Sequence, residues 1–137
     1  MQRTLAIIKP DAVEQRLVGP IVTRIEAEAL EIRAMRLVRL SKFDATGFYA
    51  VHKEKPFFDS LTDFMSSGAA VAIALEAPDA IKHWRRLMGH TDPAQAGEGT
   101  LRREFGTTIE RNATHGSDAA ETAAFELRYF FRGLEIG

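Results

Sequence analysis

The 137 residues contain no cysteine, which excludes disulfides, thiolate-bound metal and a cysteine nucleophile, and is compatible with a reducing compartment. Excess charge of one sign is missing as well. Eighteen Lys and Arg face 19 Asp and Glu for a net charge of −1, so no broad basic footprint and no recognisable reading helix offer themselves to nucleic acid. The first apolar run, residues 5–8, is too short for a signal-sequence core or a membrane span. We therefore expect a cytoplasmic protein with no membrane segment and no specific nucleic-acid partner. Among the four histidines there is no HExxH pair, and neither His83 nor His90 has a carboxylate at ligand spacing, which argues against structural zinc. A Walker A sequence is also lacking. GEGTLR, residues 97–102, misses the third glycine and the preceding strand of a dinucleotide fingerprint.

What is present is an ordinary globular mixture, 45% hydrophobic and 27% charged, in a length that fits one domain over residues 1–137. TLAIIKP reads as a short buried strand that stops at Lys9, since Pro10 has no N–H for a central ladder. Ile21, Val22, Ile25 and Ala29 recur at helical spacing behind Gly19 and Pro20, which predicts a helix over 20–30. IRAMRLVRL carries arginines at 33, 36 and 39, a spacing that fits neither alternation nor a helix; we read it as a strand. Ser41 with Asp44 signals a capped helix through Phe48 and Val51, closed by Pro56. FFDSLTDFM adds another helical turn or two before Gly68.

AVAIALEA, residues 70–77, is an unbroken apolar run, the mark of a fully buried central strand. Pro78 then opens a helix that turns Ile81, Trp84 and Met88 inward and stops at Gly89. Residues 89–114 show no strong periodicity, and an excursion of that length in a compact domain is usually functional or disordered. A short strand near His115 follows, then a helix through Phe131 for which Asp118 and Glu121 form a capping box. The order reduces to βαββαβ, the ferredoxin-like motif: an α+β sandwich, with an antiparallel sheet carrying helices on one face.

Several polar residues stand apart from this pattern. Lys9 places a cation at the end of a buried strand, or is simply a solvated strand end. Arg85 lies beside the apolar stripe of its helix, so it either snorkels over the core or aims into a pocket. Thr91 follows a helix end, Arg102 lies in the unpatterned excursion, and Asn112 stands just before His115. Singly these are ordinary surface polarity; together they form a donor set suited to polyphosphate. Phe57 is either core or a stacking platform. His115 stands in NATHGSD. A neutral imidazole with a pKa near ~6.5 is a competent nucleophile around neutral pH, and Gly116 lets another group approach it closely. Ser117 and Glu126 are placed to orient the ring and hold its tautomer. Glu126 sits between Phe125 and Leu127, an odd position for a carboxylate without a task.

TLAIIKPDAV, GFYAVHKEKPFF, LMGHTDP, GTLRREF and NATHGSDAAETA, taken in order, resemble the nucleoside diphosphate kinase family over nearly the whole chain. The resemblance implies Mg2+-dependent transfer of the γ-phosphoryl of a nucleoside triphosphate to a nucleoside diphosphate, with ATP and GDP among the substrates, by ping-pong kinetics. It implies His115 as the nucleophile through Nδ1, with Glu126 and Ser117 orienting it. Lys9, Tyr49, Arg85, Thr91, Arg102 and Asn112 match positions that hold phosphates and ribose, and Phe57 matches the aromatic on which the base stacks. Mg2+ is then carried by the nucleotide phosphates, with no direct protein ligand. The resemblance also implies a homo-oligomer, a tetramer or hexamer built from dimers. A phosphohistidine-type hydrolase and a non-catalytic nucleotide-binding subunit are the alternatives on the same fold.

Overall fold

The computed structural model describes residues Met1–Gly137. Four strands, β1 (Gln2–Ile8), β2 (Glu31–Arg39), β3 (Ala69–Ala77) and β4 (Thr114–Gly116), form one antiparallel sheet in the order β2-β3-β1-β4. Between and after them lie helices α1 (Pro10–Glu14), α2 (Val18–Ala27), α3 (Lys42–Phe48), α4 (Phe58–Met65), α5 (Ala80–Met88), α6 (Leu101–Phe105), α7 (Ala120–Phe130) and α8 (Gly133–Ile136). With α2 and α5 as the crossovers, this is the expected βαββαβ core. No helix is long and apolar enough to cross a membrane.

The expectation of helices on one face is corrected by the structure, which covers both. Successive side chains of a strand point to opposite faces, and β1 and β3 are apolar at consecutive positions. Ala6, Ile8, Ile73 and Leu75 share one core with Ile21 and Ile25 of α2 and with Trp84, Leu87 and Met88 of α5. Leu5, Ile7, Ala72 and Ala74 share a second core with Phe48, Phe64 and Met65 of the α3 and α4 region and with Leu127 and Phe130 of α7. A strand apolar on both sides is stable only with cover on both sides, so the helices that follow each crossover unit fill the second face.

Local departures have local causes. Helix α2 begins at Val18 and ends at Ala27, short of the expected Leu30, because Ala29 turns into the left-handed region at φ 59°. The odd arginine spacing in β2 reflects a bulge: Ile32 pairs Leu75 and Ala34 pairs Ala74, leaving Arg33 as the extra residue. Helix α3 ends at Phe48, and Ala50–His52 forms a separate 3-10 turn. The excursion after Gly89 is not structureless, for it contains the 3-10 turn Pro93–Gln95 and α6, capped by the Thr100 side chain. The expected capping box of Asp118 and Glu121 is also corrected. The Thr122 hydroxyl accepts from the N–H groups of Asp118 and Ala119, and the Asp118 carboxylate turns outward to an ion pair with Arg85.

The capping box of α3 is realised in full: Ser41 Oγ accepts from the Asp44 N–H at 3.0 Å, and the Asp44 carboxylate accepts from the Ser41 N–H at 3.0 Å. Ser41→Ala is expected to lower unfolding free energy by about 1 kcal/mol, read as a shifted urea midpoint with an unchanged slope.

Candidate functional site

The site is built at the end of β1, where β4 pairs with it. Ile7 lies opposite His115 and Ile8 opposite Thr114, so the histidine and the residue that follows β1, Lys9, emerge at the same edge. The imidazole is held from three sides. Its Nε2 meets Glu126 Oε1 at 2.9 Å, and the rings of Phe48 and Tyr49 stand edge-on to it at centroid distances of 5.4 and 5.9 Å. An ionised carboxylate only accepts hydrogen bonds, so Nε2 carries the proton and Nδ1 keeps its lone pair. Ser117 Oγ donates to the same Glu126 oxygen at 2.8 Å and accepts from the Leu5 N–H at 3.3 Å. Ser117 therefore grips the carboxylate rather than the ring, and transmits the position of β1 to it. The glycine beside the histidine serves packing: a Cβ on Gly116 would lie 2.6 Å from both Trp84 Cδ1 and Met88 Cε. Trp84 Nε1 donates to the His115 carbonyl at 3.1 Å.

Across the cleft stand the cations. Lys9, only 5% exposed, donates from Nζ to the Glu110 carbonyl at 2.7 Å and to Asn112 Oδ1 at 2.9 Å. Asn112 Nδ2 in turn donates to the Thr91 carbonyl at 3.0 Å. Arg102 is buried and donates to the carbonyls of Gly89 and Thr114, while its Nε has no partner. Arg85 is more open and pairs with Asp118 Oδ1 at 2.9 Å, an exposed pair of the kind that contributes little to stability. Lys9, Tyr49, Phe57, Arg85, Thr91, Arg102, Asn112 and His115 all line one cavity of about 340 Å3. Ser117 and Glu126 stand behind the histidine.

The same cavity is lined by residues the sequence reading did not place in the site: His52, Leu61, Ile109, Glu110, Thr114 and Asp118, the last of which it read as a helix cap. His52 stacks on Tyr49 at a centroid distance of 6.5 Å and is tilted against Phe57 at 5.8 Å. Exposed Ile109, an apolar side chain among polar neighbours, was the one available signal. Phe57 and Ile109 are both exposed, which removes the core reading of Phe57. No three His, Asp or Glu side chains gather closely enough to hold a metal ion.

The electrostatics follow from burial. Desolvation pushes the Lys9 ammonium down to about 8, Asp11 and Glu110 opposing the shift and Arg102 adding to it. Desolvation and then Arg85 push Arg102 down to about 10. Burial, with Glu126 adding, pushes the Tyr49 hydroxyl far up, so it remains a proton donor. Lys9 is expected to titrate near pH 8 instead of 10.5, seen by NMR of its ε-carbon. Between those values the unfolded chain binds this proton more tightly than the folded one, so the group's contribution to stability rises with pH across the window. A midpoint at the ordinary lysine value would show the ammonium to be hydrated in solution.

Comparison with known proteins gives a consistent result. The family model described as nucleoside diphosphate kinase matches residues 2–136. The nucleoside diphosphate kinase of Desulfovibrio desulfuricans is 60% identical over 136 residues, covering 99% of this chain and 98% of that protein. That of Desulfosudis oleivorans is 57% identical with the same coverage. Among solved structures, the Aquifex aeolicus nucleoside diphosphate kinase superposes with a TM-score of 0.97 at 44% identity, covering 99% of both chains. The Halobacterium salinarum enzyme, solved in complex with CDP, gives 0.94 at 38% identity over 99% of this chain and 91% of its own. With the family model spanning all but the terminal residues and the fold shared throughout, this chain belongs to the nucleoside diphosphate kinase family.

Proposed function

We propose that the chain catalyses nucleoside diphosphate kinase chemistry: the γ-phosphoryl of a nucleoside triphosphate passes to His115 and then to a nucleoside diphosphate in the same cleft. The observation that carries this reading is the His115–Glu126–Ser117 relay facing a wall of buried cations. The Nδ1 lone pair attacks the γ-phosphorus, the bond to the β-phosphate bridging oxygen breaks, and that oxygen leaves on the diphosphate. The ring becomes cationic as Nδ1 is phosphorylated, and the Glu126 carboxylate at Nε2 offsets that charge without taking the proton. The second half reverses the first, with the terminal oxygen of the acceptor diphosphate attacking and Nδ1 leaving.

Phosphoryl transfer asks mainly for positioning and charge stabilisation. In this reading Lys9, Arg85, Arg102, Thr91, Tyr49 and Asn112 hold phosphates and sugar. Arg85 exchanges a weak partner, Asp118, for the phosphates. Arg102 also props two backbone carbonyls, so its replacement loosens the loop as well as the ligand. The acids lining the cavity, Glu110 and Asp118, are bonded to Ser60 and Arg85, a poor cage for a cation but compatible with one delivered on the nucleotide. Mg2+ carried on the phosphates would offset their charge and help align the leaving group. In this reading the base lies against the apolar side chains exposed in the cavity, Phe57 and Ile109. The edge strand β2 exposes Met35 and Leu37, which supports self-association, with dimers building a tetramer or hexamer. A cytoplasmic location goes with nucleoside tri- and diphosphates as substrates.

Incubation with Mg2+ and γ-labelled ATP without acceptor is expected to leave label on His115, stable to alkali, labile to acid and transferable to added GDP. His115→Gln should bind nucleotide and take no label. Release of label to water before GDP is added would support the hydrolase alternative, and binding with no label the non-catalytic one.

Phe57→Ala is expected to raise KM for adenine, guanine and cytosine nucleotides by similar factors, since stacking tolerates any base and contributes roughly 1–3 kcal/mol. A loss confined to one base would mean that polar groups read its edge.

A further inference from the structure

Asp11 is the only carboxylate among the buried polar residues, 4% exposed, and the reaction above gives it no task. Its Oδ2 accepts from the Ala113 N–H at 3.0 Å, and the Ala113 carbonyl accepts from the Lys9 N–H at 2.8 Å. The Lys9-Pro10-Asp11 segment therefore holds both polar backbone groups of one residue. That residue is unusual. Ala113 has φ 73°, and the Thr114 N–H donates to the Asn112 carbonyl at 2.9 Å, closing a three-residue γ-turn whose positive-φ form is rare and strained. Strained turns persist only where their surroundings over-determine them.

On one side of the turn stands Asn112, whose amide faces the cleft between Lys9 and Thr91. On the other begins β4, with His115 in register opposite Ile7. The γ-turn thus sets the angle between a phosphate-side amide and the nucleophile.

We propose that Asp11 is a positioning residue for phosphoryl transfer: its carboxylate tethers Ala113 in the strained turn and so fixes Asn112 and His115 in one frame. This rests on the reading that His115 takes up the phosphoryl group. The rival explanation for a carboxylate here is electrostatic support of the Lys9 ammonium, and the two separate by substitution. Asn keeps an oxygen acceptor for the Ala113 N–H but loses the charge. Ala loses both. Glycine at 113 tolerates positive φ without the Cβ clash, so it lessens the need for a tether while leaving the charge pattern alone.

The measurement is the single-turnover rate of label uptake from γ-labelled ATP at saturating nucleotide, with nucleotide affinity and melting temperature taken on the same samples. Asp11→Ala is expected to slow uptake at least about tenfold, a barrier increase of about 1.4 kcal/mol, in protein that is still folded and still binds nucleotide. Asp11→Asn should stay within about threefold of wild type. The double variant Asp11→Ala, Ala113→Gly should recover most of the lost rate relative to Ala113→Gly alone. If Asp11→Ala does not accumulate as folded protein, Asp11→Glu, which keeps the charge and displaces the acceptor, takes its place with the same expected loss and rescue.

Equal losses in Asp11→Asn and Asp11→Ala, or no relief from glycine at 113, would overturn the tether in favour of the electrostatic role. A lower melting temperature with full uptake rate in the folded fraction would make Asp11 purely structural. Failure of the wild type to take label would remove the kinase reading and the tether together, whereas labelling of wild type and Asp11→Ala at one rate removes only the tether.

Discussion

An ionised carboxylate can accept a hydrogen bond and cannot donate one, and the candidate site depends on that asymmetry at Glu126. Because Glu126 Oε1 faces His115 Nε2, the imidazole has one tautomer and one unprotonated nitrogen, Nδ1. Everything nearby preserves that contact. Ser117 binds the same oxygen and is itself tied to Leu5 in the centre of the sheet. Phe48 and Tyr49 stop the ring from rotating, and Trp84 packs against Gly116 where any side chain would push β4 away. The histidine is thus referenced to an interior strand of the sheet, buried from Leu5 to Ile8, where close packing allows little displacement.

The sheet makes this possible because its two interior strands are enclosed on both faces. A one-sided sheet would leave the second face of β1 wet, and Leu5, Ile7 and the Ser117 contact lie on or beside that face. Helices α3, α4 and α7, which cover it, also bring Phe48, Tyr49 and Glu126 to the histidine. Core formation and site assembly are therefore the same packing event on this side of the sheet, while the opposite core supplies Trp84 and Met88 beneath the strand.

Much of this was legible in the sequence. The apolar run of β3, the capping box at Ser41 and the misplaced carboxylate Glu126 all carry their meaning within a few residues. The enclosure of both faces was implied by consecutive apolar positions in β1 and β3, yet the ferredoxin-like template pointed to one layer of helices and obscured it. Helix α6 is five residues long, too short for periodicity to announce. The bulge at Arg33 disguised β2, because one extra residue breaks the alternation on which strand reading depends. Asp118 had the right type and spacing for a cap, but the Thr122 hydroxyl accepts from the N–H groups of Asp118 and Ala119, and the Asp118 carboxylate pairs with Arg85 instead. The grip of Ser117 on a carboxylate, the packing of Trp84 against Gly116 and the walls formed by His52, Ile109 and Glu110 join separate elements. Such pairings are set by topology, and no local window contains both partners.

The cations at the cleft disfavour one another's charge. Arg102 disfavours charge on Lys9, and Arg85 disfavours charge on Arg102, while the single nearby ion pair, at Asp118, sits at the solvent edge. Asp11 and Glu110 offset the repulsion at Lys9, whereas at Arg102 desolvation and Arg85 both act against the charge with no carboxylate opposing them. A multivalent anion bound there would relieve that repulsion, and any that binds the folded chain but not the unfolded one shifts the folding equilibrium by mass action. With nucleotides as those anions, their pool would act as an external part of the protein's own charge balance, the chain's resistance to unfolding rising and falling with their supply.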